Sequence, residues 1–262
     1  MKGLAASGTP SGPSPLWFLT RGTGLVALAL LSACVVLGIL TNVRFAGPRW
    51  PRFLTAGLHR NLSLLALIFV VIHAATTVLD SYAPIRWLDA VIPFVSVYRP
   101  LWLGLGAIAF DLLLALAATS LFRVRLGHRM WRRTHWAAYA CWPVAVVHGL
   151  GTGSDPRTRW VLVLTLGCVF TVVSACSLRL AFGWPAHCAL RLGVAALGIV
   201  ALLAGGHWAQ QGPLRPGWAK RAGTPPPPGR AAAATPPPGQ RTASPVVAWH
   251  TPAATSRPKA RP

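Results

Sequence analysis

Six runs of apolar residues dominate the sequence, and each is long enough to cross a lipid bilayer as a helix. A membrane-spanning helix needs about 20 predominantly apolar residues. Backbone N–H and C=O groups in lipid must be satisfied within the segment, so each run is predicted to be a helix rather than a strand. The predicted fold class is therefore all-α, an integral membrane bundle of six transmembrane helices. The predicted spans are Leu25–Val43, Leu58–Leu79, Leu101–Phe122, Thr134–Leu150, Trp160–Leu180 and Cys188–Trp208.

The chain is strongly basic, but it is not composed like a nucleic-acid-binding domain. Among its 262 residues, 25 are Lys or Arg and four are Asp or Glu, which gives a net charge of +21. Such a charge favours nucleic acid or a membrane surface as the partner. However, 53% of the residues are hydrophobic and only 11% are charged, and a soluble domain of that composition would expose a large apolar surface. We therefore predict a lipid membrane as the partner and no nucleic acid.

The segments outside the apolar runs divide the chain into three parts. Residues 1–20 are rich in Gly, Ser and Pro, and we expect a flexible segment there. Residues 21–210 contain the predicted six-helix membrane domain. Residues 211–262 are expected to be a disordered, basic, Pro- and Ala-rich tail, because thirteen prolines and no acidic residue follow residue 212 and this composition cannot build a core. No GxGxxG or GxxxxGK motif occurs, so no flavin- or nicotinamide-binding domain is predicted.

The first apolar run also resembles a signal peptide with a lipoprotein cleavage box at Leu31-Ser32-Ala33-Cys34. A released lipoprotein normally turns polar after the cysteine, whereas the residues after Cys34 stay apolar as far as Leu40. The sequence therefore favours a first membrane helix over a cleaved signal.

Lys and Arg in the loops predict the orientation of the bundle. Short cytoplasmic loops of membrane proteins carry an excess of these residues. Eleven lie in the loops after the first, third and fifth predicted helices, and nine lie on the other side close to the spans. We therefore predict a multi-pass protein of the cell membrane, with the loops at residues 44–57 and 123–133 in the cytoplasm and both termini extracytoplasmic.

Four histidines occupy matching positions on two of the predicted helices. His59 and His73 lie fourteen residues apart on the second helix, and His135 and His148 lie thirteen apart on the fourth. One membrane crossing lies between these two helices in the chain, so they run parallel. His59 is therefore at the same depth as His135, and His73 is at the same depth as His148. Two neutral imidazoles are the axial ligands that a six-coordinate b-type haem requires. The pattern predicts two non-covalent haems on these four metal ligands.

Other functions for these histidines stay open at this point. A single histidine in a membrane span is most often a hydrogen-bonded packing residue or part of a proton relay. One alternative is therefore a haem-free transporter or structural subunit whose intramembrane histidines handle protons or metal ions. Another is a membrane anchor whose basic tail binds anionic polymers.

Helical geometry suits one histidine spacing better than the other. Fourteen residues rise about 21 Å and turn about 1400°, roughly 40° short of four turns, so His59 and His73 share one face. Thirteen residues turn about 1300° and leave His135 and His148 about 140° apart on an ideal helix. The fourth helix must therefore be distorted between them. Pro143 is the predicted cause, through a kink or a π-bulge.

These features resemble the ferric reductase-like transmembrane domain, the di-haem core shared by ferric reductases and NADPH oxidases. The resemblance depends on the two histidine spacings and on the basic stretch before each histidine helix, and it covers about residues 55–180. The segments Trp131-Arg132-Arg133-Thr134-His135 and His148-Gly149-Leu150-Gly151-Thr152-Gly153 are similar to bacterial members that stand alone as membrane subunits. The resemblance implies that the four histidines ligate two stacked b haems, which pass electrons across the membrane from a cytoplasmic donor.

The chain departs from much of this family after its last helices. Ferric reductases and NADPH oxidases continue into flavin and nicotinamide domains, whereas a sixth predicted helix and a Pro-rich tail follow here. A related haem-binding membrane subunit of a methionine sulfoxide reductase system also lacks those domains. The resemblance therefore implies an oxidoreductase component without catalytic residues of its own. Its donor is a cytoplasmic flavoprotein reductase or a membrane quinol, and its extracytoplasmic acceptor is ferric iron or a partner protein.

Two arginines and one aspartate are further candidates. Arg60 and Arg132 lie within one turn of His59 and His135, and a guanidinium binds a carboxylate, such as a haem propionate, in a bidentate manner. Asp111 is the only acid well inside a predicted span, and it is either a proton or quinone contact or a hydrogen-bonded carboxyl of the bundle interior. The five cysteines show no CxxC spacing and are predicted to be packing residues.

Overall fold

The computed structural model describes residues 14–45, 51–80, 83–153, 156–182 and 184–223. Within these ranges the chain forms nine helices and no strand. The helices are α1 (Pro15–Asn42), α2 (Arg52–Leu79), α3 (Trp87–Val91), α4 (Pro100–Leu121), α5 (Arg123–His135), α6 (Ala138–Thr152), α7 (Arg159–Ala181), α8 (Cys188–Gln211) and α9 (Trp218–Arg221).

Five of these helices, α1, α2, α4, α7 and α8, are long and apolar enough to cross a membrane. The described part of the chain is therefore an all-α, multi-pass membrane protein with five candidate spans. The fourth expected span, Thr134–Leu150, is divided in the structure. Its first residues belong to α5, which ends at His135, and α6 has only 15 residues.

α1 begins ten residues earlier than expected. The Ser14 hydroxyl accepts the backbone N–H of Trp17 at 3.0 Å, and Pro15 occupies the first helical position. A serine N-cap followed by proline is a signal for the start of a helix. The expectation of a flexible segment up to residue 20 is therefore wrong for Ser14–Thr20, and residues 1–13 lie outside the described residues.

α1 contacts two of the other four candidate spans and the shorter helix α6. It packs against α2, α6 and α7, while α4 packs against α6. A polar bond ties α6 to α1 near the middle of both helices, because the Trp142 indole Nε1 donates to the buried Ser32 hydroxyl at 2.9 Å. At one end, the Ser14 hydroxyl donates to the Asp80 carboxylate at 2.9 Å, which connects the start of α1 to the end of α2. α1 and α2 are thus antiparallel neighbours.

Residues 212–223, which the sequence assigns to the tail, pack back onto the bundle. Pro213 and Ala222 are buried. The Trp218 indole Nε1 donates to the Gly151 carbonyl at 2.9 Å, and the Trp218 ring lies 5.4 Å from that of Trp102, centroid to centroid. The expectation of a disordered tail from residue 211 is therefore wrong for residues 212–223, and residues 224–262 lie outside the described residues.

Candidate functional site

The structure brings the four histidines together as two pairs. The ring centroids of His59 and His135 lie 6.3 Å apart, and their ring planes form an angle of 77°. The centroids of His73 and His148 also lie 6.3 Å apart, at an interplanar angle of 79°. The two pairs have nearly the same geometry although they lie at opposite ends of α2.

A separation of 6.3 Å suits two imidazoles on opposite sides of one metal ion. An imidazole nitrogen lies about 2.0 Å from a first-row metal ion and about 1.1 Å from its own ring centre, so the two ring centres would be roughly 6.2 Å apart. In the described residues no group of three or more His, Cys, Asp or Glu side chains is placed to hold a metal ion. Each pair thus offers two nitrogens only. This donor set fits a metal that brings its other four ligands in a macrocycle.

Three of the four rings are held in one tautomer by backbone carbonyls. A carbonyl oxygen only accepts hydrogen bonds, so the proton in each of these rings lies on Nδ1 and the lone pair lies on Nε2. Metal-binding histidines are commonly oriented in this way. The bonds run from His59 to Cys34 (3.0 Å), from His73 to Thr20 (2.8 Å) and from His148 to Trp102 (2.8 Å).

A glycine lies against each of these three rings, four residues after the accepting carbonyl. A Cβ atom would lie 2.9 Å from the His73 ring at Gly24, 3.3 Å from the His59 ring at Gly38 and 2.5 Å from the His148 ring at Gly106. Residues four apart share one face of a helix. We call each combination of carbonyl and glycine a cradle. The cradles are Thr20 with Gly24 and Cys34 with Gly38, both on α1, and Trp102 with Gly106 on α4.

His135 is held differently from the other three histidines. Its Nδ1 atom is buried and has no hydrogen-bond partner among the described residues. Its ring stacks on Trp131, with centroids 5.0 Å apart and planes inclined by 30°. The His59–His135 pair therefore contains one ring that a carbonyl holds and one that only a stacking contact holds.

The predicted distortion between His135 and His148 is present, but Pro143 is not its centre. Between α5 and α6, backbone N–H groups donate to the carbonyl three residues earlier instead of four, which tightens the turn. Ala138–Thr152 is α-helical throughout, so the expected π-bulge is wrong. Each residue in such a turn advances about 120° around the helix axis, rather than about 100°. Four of them reduce the angle between His135 and His148 from about 140° to about 60°. The four bonds are Trp136 to Arg133, Ala137 to Thr134, Tyr139 to Trp136 and Ala140 to Ala137.

A small cavity of about 70 Å³ adjoins the His73–His148 pair. Its lining includes both histidines, Gly106, Phe110 and the buried Asp89 of α3. α3 therefore covers this end of the bundle.

Asp89 caps the start of α3 together with Arg86. The Arg86 side chain donates to the Asp89 carboxylate from Nη2 at 3.0 Å and from Nε at 3.3 Å, and the Arg86 backbone N–H donates to it at 3.1 Å. Burial alone would raise the pKa of Asp89. The bonds and charge of Arg86, with a hydrogen bond from Ser96, outweigh burial and hold the pKa below its usual value.

The other candidate residues make no polar contact with the histidine rings in the described part of the chain. Arg60 and Arg132 are both exposed at the His59–His135 end, and no polar contact of either side chain with a described residue is seen. Asp111 is half-buried on α4 and likewise has no polar partner in the described part of the chain. His128 and His187 are exposed. The five cysteines are free thiols.

Sequence reasoning missed the contribution of α1. The resemblance was expected to cover residues 55–180, yet α1 supplies the carbonyls of Thr20 and Cys34 and the glycines Gly24 and Gly38. A signal for it was present. The two glycines lie fourteen residues apart, the same spacing as His59 and His73.

Comparison with known proteins agrees with this arrangement. Residues 23–146 match the protein family described as Ferric reductase like transmembrane component. This range begins in α1 and includes three of the four paired histidines, while His148 lies two residues beyond it. Residues 23–146 are therefore similar to a ferric reductase-like transmembrane component.

Two curated relatives are distantly similar to the chain. One is the Protein-methionine-sulfoxide reductase heme-binding subunit MsrQ of Azospira oryzae, which is 29% identical over 179 residues, 66% of each chain. The other is the protein of the same name from Ralstonia nicotianae, which is 30% identical over 139 residues, 52% of this chain and 59% of the relative. The chain thus spans just under two thirds of the first relative and three fifths of the second. No solved structure matches.

Proposed function

We propose that this ferric reductase-like membrane component is a haem-binding subunit that carries electrons across the membrane. The observation that supports this most directly is the geometry of the two histidine pairs, whose ring centroids are both 6.3 Å apart. In three rings the Nε2 lone pair is free for a metal because a carbonyl holds Nδ1. The two curated relatives, which are named heme-binding subunits, support the same function.

The proposed cofactors are two b-type haems, one held by His59 and His135 and the other by His73 and His148. A haem with histidine on both axial faces supplies one-electron transfer and leaves no open position for a substrate. The sequence contains no CxxCH motif, so both haems would be non-covalent. Arg60 and Arg132, exposed beside the first pair, are the proposed partners of the haem propionates.

The proposed arrangement has six crossings, with α6 as the short crossing that carries His148. The tightened segment at Trp136 and Ala137 joins α6 to the basic helix α5, whose five arginines are all exposed. An excess of arginine marks the cytoplasmic side. We therefore place α5 and the His59–His135 pair on the cytoplasmic side, and both termini with the His73–His148 pair outside.

The proposed donor is a cytoplasmic flavoprotein reductase or a membrane quinol, since the described helices leave no room for a nucleotide-binding domain within residues 14–223. The acceptor is proposed to be extracytoplasmic. Of the two acceptors that the sequence leaves open, ferric iron and a partner protein, the names of the relatives favour the protein. They describe a subunit of a protein-methionine-sulfoxide reductase.

An absorption spectrum of the purified protein tests the proposal. The dithionite-reduced protein is expected to show the bands of a low-spin b haem, with about two haems per chain. His59→Ala and His135→Ala should remove one haem, and His73→Ala and His148→Ala should remove the other, because each haem needs both of its axial ligands.

The control is His207→Ala, which removes an exposed histidine of α8 and should leave both haems in place. A colourless preparation from haem-replete cells would exclude the proposal and favour the haem-free transporter. Full haem content in the His73→Ala protein would exclude the assignment of that pair.

A further inference from the structure

The three cradles follow one register, which predicts where a fourth should be. On α1 the two cradles lie fourteen residues apart, Thr20 with Gly24 and Cys34 with Gly38. Fourteen residues rise about 21 Å and return to nearly the same face of a helix. On α4 the cradle for His148 is Trp102 with Gly106. The same step of fourteen leads to Leu116 and Ser120, at the level of His135.

Position 120 has a side chain where the other cradles have glycine. The Ser120 hydroxyl accepts a hydrogen bond from the Trp131 indole Nε1 at 3.4 Å, and Trp131 is the residue on which the His135 ring stacks. α5, which carries both Trp131 and His135, packs against α4. Ser120 therefore lies in the contact that sets how closely the His135 ring approaches α4.

We propose that Ser120 is a positioning residue that leaves His135 without a carbonyl partner. Its Cβ atom occupies the space that a glycine gives to the ring in the other three cradles, so Nδ1 of His135 does not reach the carbonyl of Leu116. The Ser120 hydroxyl instead holds Trp131 against the ring. The two sites are thereby made unequal: both rings of the His73–His148 pair are cradled, and only one ring of the His59–His135 pair is.

This inference rests on the proposed haem-binding function and predicts a property that the function alone does not. A hydrogen bond from Nδ1 to a carbonyl raises the basicity of the imidazole and stabilises the ferric state. The pair that lacks one such bond should have the higher midpoint potential. The exposed arginines of α5 act in the same direction, because positive charge disfavours the ferric state, so the test must separate the two causes.

The experiment is a potentiometric titration of the full chain in lipid nanodiscs, with Ser120→Gly and Ser120→Ala as a matched pair. Both variants remove the hydroxyl, but only glycine removes Cβ, and neither changes the charge of α5. Ser120→Gly is expected to lower the higher of the two midpoint potentials and to slow haem transfer from that site to a soluble haem acceptor by about tenfold. Ser120→Ala should leave that potential near the wild-type value.

A comparison of the wild-type protein with His135→Ala provides a second test, which does not depend on how the Ser120 variants fold. The component of higher potential should be the one that is missing in His135→Ala. If the component of lower potential is missing instead, or if alanine shifts the potential as far as glycine does, the inference is overturned. Two haem bands with equal potentials would also overturn it while leaving the proposed function intact. A haem-free wild-type protein would instead overturn the function.

Discussion

At the His73–His148 end, both rings are held by carbonyls and lie against glycines, and α3 and residues 212–223 cover the bundle. At the His59–His135 end, one ring has no carbonyl partner in the described residues, and the neighbouring helix α5 has no buried residue. The ring separations at the two ends are nevertheless equal. The same pair geometry is therefore reached in two ways, by close helix packing at one end and by stacking on Trp131 at the other.

This difference has consequences for how each end tolerates change. Close packing leaves no space, so an added methyl group displaces the ring and the metal ligand with it. A stacked ring beside an exposed helix has more freedom to adjust. We therefore expect substitutions at the His73–His148 end to remove a haem, and comparable substitutions at the other end to shift its properties.

The largest effect is expected for Gly106→Ala. A Cβ at this position would lie 2.5 Å from the His148 ring, and the ring can move away only by giving up its bond to the Trp102 carbonyl. The haem content should fall from about two to about one per chain, with the loss confined to the His73–His148 pair. Pyridine haemochrome analysis and the reduced absorption spectrum measure this.

Two alanine substitutions on α1 serve as graded comparisons. Gly38→Ala places Cβ 3.3 Å from the His59 ring, a distance that a small shift relieves, and Gly22→Ala meets no atom within 4 Å. Gly38→Ala should retain both haems with faster haem loss from one site, and Gly22→Ala should match the wild type. Equal haem loss in the Gly106 and Gly22 variants would contradict the role given to close packing.

Most of the fold and part of the site could be predicted from the sequence. Apolar runs predicted the spans because the bilayer imposes their length, and five of the six expected runs appear as candidate spans. Histidine spacing predicted which rings meet, because the period of a helix is nearly fixed. α1 begins ten residues before its apolar run, at Ser14 and Pro15, because capping residues rather than hydropathy set the first residue of a helix.

Other features depend on packing between helices, which one sequence does not show. The rotation between His135 and His148 comes from tight turns at residues without a distinctive sequence signal, such as Trp136 and Ala137, rather than from a π-bulge at Pro143. The cradle carbonyls are likewise invisible in a sequence, since every residue has one. Only the glycines beside them can be recognised in the sequence, because the two on α1 are fourteen residues apart.

A smaller effect, specific to one end, is expected for Asp89→Asn. The pKa of Asp89 is lowered in the folded protein, so its ionised form stabilises the fold at neutral pH, and this contribution is lost as the pH falls through the folded-state pKa. The substitution should cost about 1.5 kcal/mol near pH 7. The cost should shrink only once the pH falls below about 4, the ordinary pKa of an Asp carboxyl, and should vanish below the folded-state pKa, where the wild-type carboxylate is protonated as well.

Thermal unfolding across this pH range, followed by haem absorbance, measures the effect. Because α3 covers only the His73–His148 end, acid should release that haem more readily from the variant than from the wild type down to about pH 4. The two proteins should converge only at lower pH, as the wild-type carboxylate becomes protonated. A difference between them that grows as the pH falls would have the wrong sign for a carboxylate whose pKa is lowered.

The smallest effect, and one without preference for either end, is expected for Trp142→Phe. The bond from Trp142 to Ser32 lies between the two histidine pairs: Trp142 is seven residues after His135 and six before His148. A hydrogen bond between membrane helices contributes about 0.6 kcal/mol on average, so the free energy of unfolding should fall by about this amount while the ratio of the two haems stays constant. Trp160→Phe, at an exposed tryptophan, is the control. Since the bond lies between the two sites in sequence, a haem loss confined to one pair would show that the two ends are not joined through α1 and α6 as the packing implies.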